Sequence, residues 1–364
     1  MSTAPPGRGH IELVVGASLY PEVVAKRQLL GFVLSLSTNG FVPPPPLVVR
    51  RDDRLEARTI RFEKPDQPLS TQIETGLPAG ATLVRASPLS VQARTGLRGQ
   101  PWPDPFQPAR MVSMVLDTSK TSLESSFPGL VLGAAQVIVV QLRIWYRRLI
   151  AEYVDVLAAA QVLAALPAAD AAALLRACPI DAAANLLKAL LQDGVELLDF
   201  DRVAPLLADE QRVQWTDTGL VTVALPGRIG IAARRPADDA ERRYVIARAV
   251  LVASTLWRRA GNNALQAWTL NQPNEGVPTA DSTTEKAHFA KQLREQTAAA
   301  AEVQGAILIC SPELRAKAAN ALRDTYPELM VVAQHELPGN IPVRPRGRIR
   351  IQPYDAASAE RRSA

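Results

Sequence analysis

Residues 306–315 read Ala-Ile-Leu-Ile-Cys-Ser-Pro-Glu-Leu-Arg, and residues 326–340 read Tyr-Pro-Glu-Leu-Met-Val-Val-Ala-Gln-His-Glu-Leu-Pro-Gly-Asn. The apolar run 306–310 is too short for a helix and reads as a buried strand. Ser311 can cap a helix start, Pro312 fits its first turn, and Glu313 complements its positive end. Leu314, Ala318, Ala321 and Leu322 recur at helical spacing, and Pro327 stops that helix. Residues 329–333 then form a second apolar run. Strand, helix and strand with short joints predict two parallel strands and a crossover helix.

Outward from this unit, residues 236–259 read as a helix. It has Asp238, Asp239 and Glu241 in its first turn, Arg258 and Arg259 in its last, and a stripe of Ile246, Val250, Ala253 and Trp257 facing inward. Residues 265–270 read as a strand, Ser282-Thr-Thr-Glu285 as a capping box opening a helix to about residue 304, and 344–351 as a closing strand. Residues 214–231 alternate around Pro226-Gly227, which predicts a hairpin. Residues 152–209 are helical throughout, with Pro167 and Pro179 at helix starts and Gly194 closing a Leu186/Leu187/Leu190/Leu191 stripe. Towards the start, strands at 11–15, 47–51 and 59–62 surround a helix at 21–38. A Pro/Gly/Arg/Ser-rich stretch at 76–108, with strands at 82–85 and 111–116, leads to a helix at 133–149.

The fold class is therefore multidomain α+β. Residues 10–78 and 133–151 make a discontinuous first α+β domain, and 79–132 make an inserted subdomain. A helical domain spans 152–209, a hairpin insertion or linker 210–235, and a C-terminal α/β domain built on β-α-β 236–352. Residues 353–364 are a polar, disordered tail.

Composition narrows the function. The chain has 364 residues, 47% of them hydrophobic but only 5% aromatic, and a formal net charge of +5. That charge permits an acidic partner without demanding nucleic acid. Two cysteines cannot build a disulfide framework, which points to a reducing compartment. The start carries no signal peptide, and the longest apolar stretch, 127–142, holds Gln136 and Gln141 and falls short of the ~20 residues of a spanning helix. The expectation is a soluble, cytoplasmic chain.

No constellation for bond chemistry emerges. Cys310 ends a strand before a helix, but a Cys-x5-Arg cradle needs arginine at 316, where Ala316 stands, so a buried structural cysteine is expected. His10, His288 and His335 lack metal-ligand spacing, and His335-Glu336 reads as surface loop. There is no phosphate loop and no serine elbow. Asp52-Asp53 and Asp238-Asp239 read as solvated. Arg344, Arg346, Arg348 and Arg350 alternate and would share one strand face. Such a face could hold phosphates, but no aromatics interleave for base stacking. The best candidate binding element is Asp104-Pro105-Phe106 with Trp102 before it, an aromatic set between prolines as a partner anchor or else a packed loop.

Several stretches, in order, resemble the cytosolic domain of the FHIPEP family, the export-gate proteins of flagellar and virulence type III secretion. They are Ile11-Glu-Leu-Val-Val15, Gly40-Phe41-Val-Pro-Pro, Val48-Val-Arg-Arg-Asp-Asp53, Leu186-Leu-Lys-Ala-Leu-Leu191 with Gly194-Val, Arg243 to Ala249, and the Ser-Pro-Glu-Leu-Arg and His-Glu-Leu-Pro segments of the opening unit. The resemblance covers roughly residues 10–352 and implies four subdomains, one nested in another, without the family's membrane half. It implies a non-enzymatic protein with no cofactor and no small-molecule substrate, which self-associates into a ring. Its partners would be secretion chaperones, export substrates and other export-apparatus subunits, and it would meet the membrane only through them. The resemblance places the family's chaperone-docking dimple at Asp104 and Phe106, flanked here by Trp102, with its threonine position falling near Val140. The Asp104-Pro105-Phe106 motif is one residue short of the family's, and the threonine is replaced. A nucleic-acid- or acidic-partner-binding adaptor, or a divergent regulatory paralogue, is the alternative.

Overall fold

The computed structural model describes residues 11–17, 20–25, 47–55, 60–64, 67–73, 77, 81–105, 111–116, 120–215, 229–231, 236–261, 263–271, 283–301, 303, 305–323, 325–326, 329–338 and 341–352. The expected lead at 1–9, the tail at 353–364, most of the helix at 21–38 and the Pro226-Gly227 turn lie outside them. The chain divides into two units, residues 1–153 and 154–364.

The first unit holds two four-stranded sheets. In one, β1 (Ile11–Val15) pairs in parallel with β2 (Leu47–Arg51) and antiparallel with β3 (Ile60–Lys64), and β4 (Gln67–Ile73) adds to β3. A short helix α1 (Tyr20–Ala25) lies between β1 and β2 in sequence, with Val23 buried. The other sheet is antiparallel, in the order β6-β7-β5-β8, from β5 (Thr82–Val84), β6 (Gln100–Pro103), β7 (Met111–Val115) and β8 (Val131–Gly133). Its core joins Val84, Val115 and Val131 to Val91 of α2 (Pro88–Thr95) and Leu123 of α3 (Lys120–Ser126). Both prolines of β6 sit on an edge strand, where a missing N–H costs no ladder bond. β8 runs directly into α4 (Ala134–Leu149), which buries Val137, Ile138, Leu142 and Tyr146.

The second unit opens with four helices, α5 (Val156–Ala164), α6 (Ala168–Ala177), α7 (Ile180–Gln192) and α8 (Phe200–Ala208). Asp155 caps α5 by accepting from the Ala158 N–H at 2.7 Å. Pro167 and Pro179 stand at the N-caps of α6 and α7, and Gly194, at φ 71°, turns the chain out of α7. Strands β9 (Val213–Trp215) and β10 (Ile229–Ile231) follow, and they pair in parallel. The predicted hairpin is therefore wrong at this pairing. A two-residue turn joins only antiparallel neighbours, and parallel ones need a crossover.

Helix α9 (Asp239–Ala260) is capped by Asp238, which accepts from the Glu241 N–H at 2.9 Å. From Ile246 to Leu256 nearly every side is buried, because the helix packs both on α7 and α8 and on the last sheet. Trp257, predicted on its inward stripe, is 39% exposed instead, just past that enclosed stretch.

The last sheet is all parallel, ordered β13-β12-β11-β14, from β11 (Leu265–Asn271), β12 (Ile307–Cys310), β13 (Met330–Ala333) and β14 (Val343–Arg350). α10 (Thr283–Ala301) and α11 (Pro312–Arg323) connect the first three strands. Phe289, Leu293, Leu314, Ala318 and Leu322 of these helices meet Leu308, Cys310 and Val331 of the sheet in one core. β12 and β13 are buried along their whole length, as parallel strands covered on both faces must be.

Candidate partner-binding site

The elements carrying Trp102 and Asp104 are fixed by β6 and the residues after it. Trp102 pairs with Val112 of β7. Gly99 lets the two strands close up, since a Cβ there would stand 2.8 Å from Ser113 Cβ. Asp104 is fully buried, and Arg85 Nε donates to both its carboxylate oxygens at 3.3 and 3.2 Å. Asp104 is thus engaged in holding the end of β6 to the end of β5. Trp102 is half-buried, and its indole Nε1 is enclosed with no hydrogen-bond partner among the described residues. Phe106 lies outside the described residues. Val140 is half-buried on α4. That helix leaves the sheet from β8, the edge opposite β6, so three strand spacings, about 14 Å, separate the two edges. Met111, opposite Pro103, is 57% exposed, and Leu89 of α2 is 79% exposed, so this unit presents apolar side chains to solvent.

The second unit contains a polar cluster that spacing along the chain did not reveal. Arg248, in the middle of α9, has a side chain only 5% exposed. Its Nε donates to Glu336 Oε1 at 2.6 Å, its Nη2 to Glu336 Oε2 at 3.2 Å and to the Val331 carbonyl at 3.3 Å, and its Nη1 to Asp193 Oδ2 at 3.3 Å. Arg315 Nη1 donates to the same Asp193 oxygen at 2.7 Å, and so does the Tyr244 hydroxyl. Burial alone would raise the Asp193 carboxyl pKa. The charges of Arg248 and Arg315, with the bonds from Tyr244 and Arg315, outweigh burial and hold it below the usual carboxylate range. Burial also pushes the Tyr244 phenol up to about 12. Glu336, predicted on a surface loop, is instead 8% exposed, because a buried Arg248 needs a countercharge. The signal for this cluster was Arg248 itself, a cation within an apolar helical run.

Cys310 is 3% exposed, its thiol donates to the Val332 carbonyl at 3.6 Å, and burial, opposed by Arg315 and Arg248, pushes it up to about 12. That is the reverse of an activated thiolate. Among the described residues no three His, Cys, Asp or Glu side chains gather as a metal site. The four arginines of β14 do not share a face. Ala267 pairs with Pro345 and Trp268 with Gly347, so Arg346 is the extra residue of a bulge. Arg344 then lies opposite Gln266, and Arg348 opposite Thr269, on the other side of the sheet. Arg346 itself donates to the Gln266 side chain.

Neither a family model nor a curated protein matches the chain. Solved structures do. A chain of the Chlamydia pneumoniae CdsV and CdsO complex superposes with a TM-score of 0.68 and 12% identity, over 95% of this chain and 99% of that one. The Shigella flexneri MxiA protein gives 0.61 and 13%, over 93% and 98%. The nonameric EPEC SctV-C gives 0.59 and 12%, over 95% and 100%. The fold is that of the cytosolic domains of type III secretion proteins, end to end, and the family resemblance seen in the sequence is met at the level of the fold. No helix among the described residues is long and apolar enough to cross a membrane.

Proposed function

We propose that this chain is a docking protein without enzymatic activity, acting as the cytosolic part of a type III export-gate subunit. It self-associates into a ring and receives export substrates, chaperone–substrate complexes and other subunits of the export apparatus. The observation that carries this role is the end-to-end fold likeness to chains solved as a nonamer and in a CdsV and CdsO complex. Further support comes from the protonated, enclosed thiol of Cys310, which offers no nucleophile, and from the exposed apolar side chains of Met111, opposite Pro103 of the Trp102 strand, and Leu89 of α2. Docking needs surface complementarity and no bond-making group, which agrees with both.

Multi-angle light scattering over a concentration series tests self-association, and pull-down with secretion chaperones, substrates and export-apparatus subunits tests capture. The expected result is a mass that climbs with concentration beyond the 39.3 kDa of one chain, together with retention of at least one such partner. A strict monomer that retains none would end the proposal. Within it, Trp102→Ala should weaken chaperone capture at least tenfold while leaving self-association unchanged.

A further inference from the structure

A single oxygen atom ties the tip of α7 to the carboxyl end of the last sheet. Asp193 Oδ2 accepts from Arg315 Nη1, Arg248 Nη1 and the Tyr244 hydroxyl, and none of these donors belongs to the helices 156–208. Tyr244 and Arg248 come from α9. Arg315 comes from the first turn of α11, directly after β12. Behind them, Glu336 grips Arg248 and also accepts from the Ala333 N–H at 2.8 Å, at the end of β13. Arg248 is therefore anchored from the sheet side whether or not Asp193 is present. The tip of α7 is shaped to deliver the carboxylate. Gly194 adopts φ 71°, and the Gly194 and Val195 N–H groups each donate back to α7, at Leu191 and Leu190, both at 3.0 Å. The carboxyl ends of parallel strands are where α/β sheets open a crevice for ligands. In this chain one of its own carboxylates stands in that place.

We propose that Tyr244, Arg248 and Arg315 form an oxyanion cradle occupied by the Asp193 carboxylate, and that this occupancy is a latch holding the tip of α7 onto the carboxyl end of the last sheet. When Asp193 is withdrawn, a free carboxylate takes its place. A charge-assisted contact suits a releasable latch, because its attraction largely replaces the hydration of the same groups, and its loss leaves Arg315 without its carboxylate.

The test uses the full chain with Asp193→Ala. Hydrogen exchange should quicken by about tenfold or more at the tip of α7 and the first turn of α11, while β12 and the sheet of β5 to β8 keep their protection. The melting temperature of the transition belonging to residues 154–364 should fall by roughly 5–15 °C. Sodium acetate, compared with sodium chloride at equal ionic strength and neutral pH, should restore both saturably, and should fail in the Asp193→Ala/Arg315→Gln double variant. Asp193→Asn, which keeps shape and one acceptor, should show a smaller loss of the same pattern and serves if the alanine variant does not fold. Unchanged exchange at the α7 tip, a loss spread evenly over all elements, or acetate acting no better than chloride would each overturn the latch.

Discussion

At the residue scale, burial decides what the reactive groups can do. Cys310 stands between a strand end and a helix start, a position that activates thiols when it is open and electropositive. Here the side chain faces the core of α10 and α11, so desolvation favours the neutral thiol. Cys178 is likewise buried and raised by burial, against a lesser opposing pull from Arg243. The native chain should therefore resist iodoacetamide at pH 7.5, with both thiols labelling only after unfolding in guanidinium. Fast, stoichiometric labelling of the folded chain at Cys310 would reopen the question of a nucleophile. Gly99 illustrates the opposite constraint, space rather than polarity. A methyl group there meets Ser113 Cβ at 2.8 Å, and Cβ cannot swing aside as a side-chain tip can. Gly99→Ala should cost about 1–3 kcal/mol in urea denaturation.

At the scale of elements, the Arg85 and Asp104 pair joins two strand ends that share no ladder. Arg85 keeps some access to water at 23% exposure, so Asp104→Ala should lose about 1–3 kcal/mol, read by urea denaturation, and Asp104→Asn clearly less. The strand-helix-strand at 307–333 was legible in the sequence because fully buried parallel strands are short, unbroken apolar runs, and because Pro312 and Pro327 mark the helix ends. The capped ends of α9 were legible for a similar reason, since Asp238 and the arginines act locally. β4, reading Gln-Pro-Leu-Ser-Thr-Gln-Ile, carries no alternating pattern, and β6 carries two prolines, so both escaped notice until their partners were seen. The bulge at Arg346 escaped too, because a bulge is a property of two strands and the sequence shows one at a time. The Asp193 cluster is the extreme case. Its members come from α7, α9, α11 and the turn after β13, and only the fold brings them to one oxygen.

At the scale of the whole molecule, two compact units imply two stability curves. The boundary falls between Tyr153, whose ring lies 6.1 Å from that of Tyr146, and Asp155, which caps the next helix. Each side keeps its own local support, so calorimetry of the full chain should resolve two transitions. They should respond differently to acid. The folded-state pKa of Asp193 lies below that of an unfolded aspartate, about 3.9. Its ionised form therefore contributes stability that is complete above that unfolded value and is lost as pH falls towards and through the folded one. Tyr244, Arg248 and Arg315 face it, and Arg248 is held in turn by Glu336. As pH falls from about 5 towards 2, one transition should drop steeply in the native chain. In Asp193→Asn that same transition should start lower and fall less, because the proton that acid would add to residue 193 has no carboxylate to join. Parallel acid curves for the two proteins would show that the cluster does not set the acid limit of the second unit.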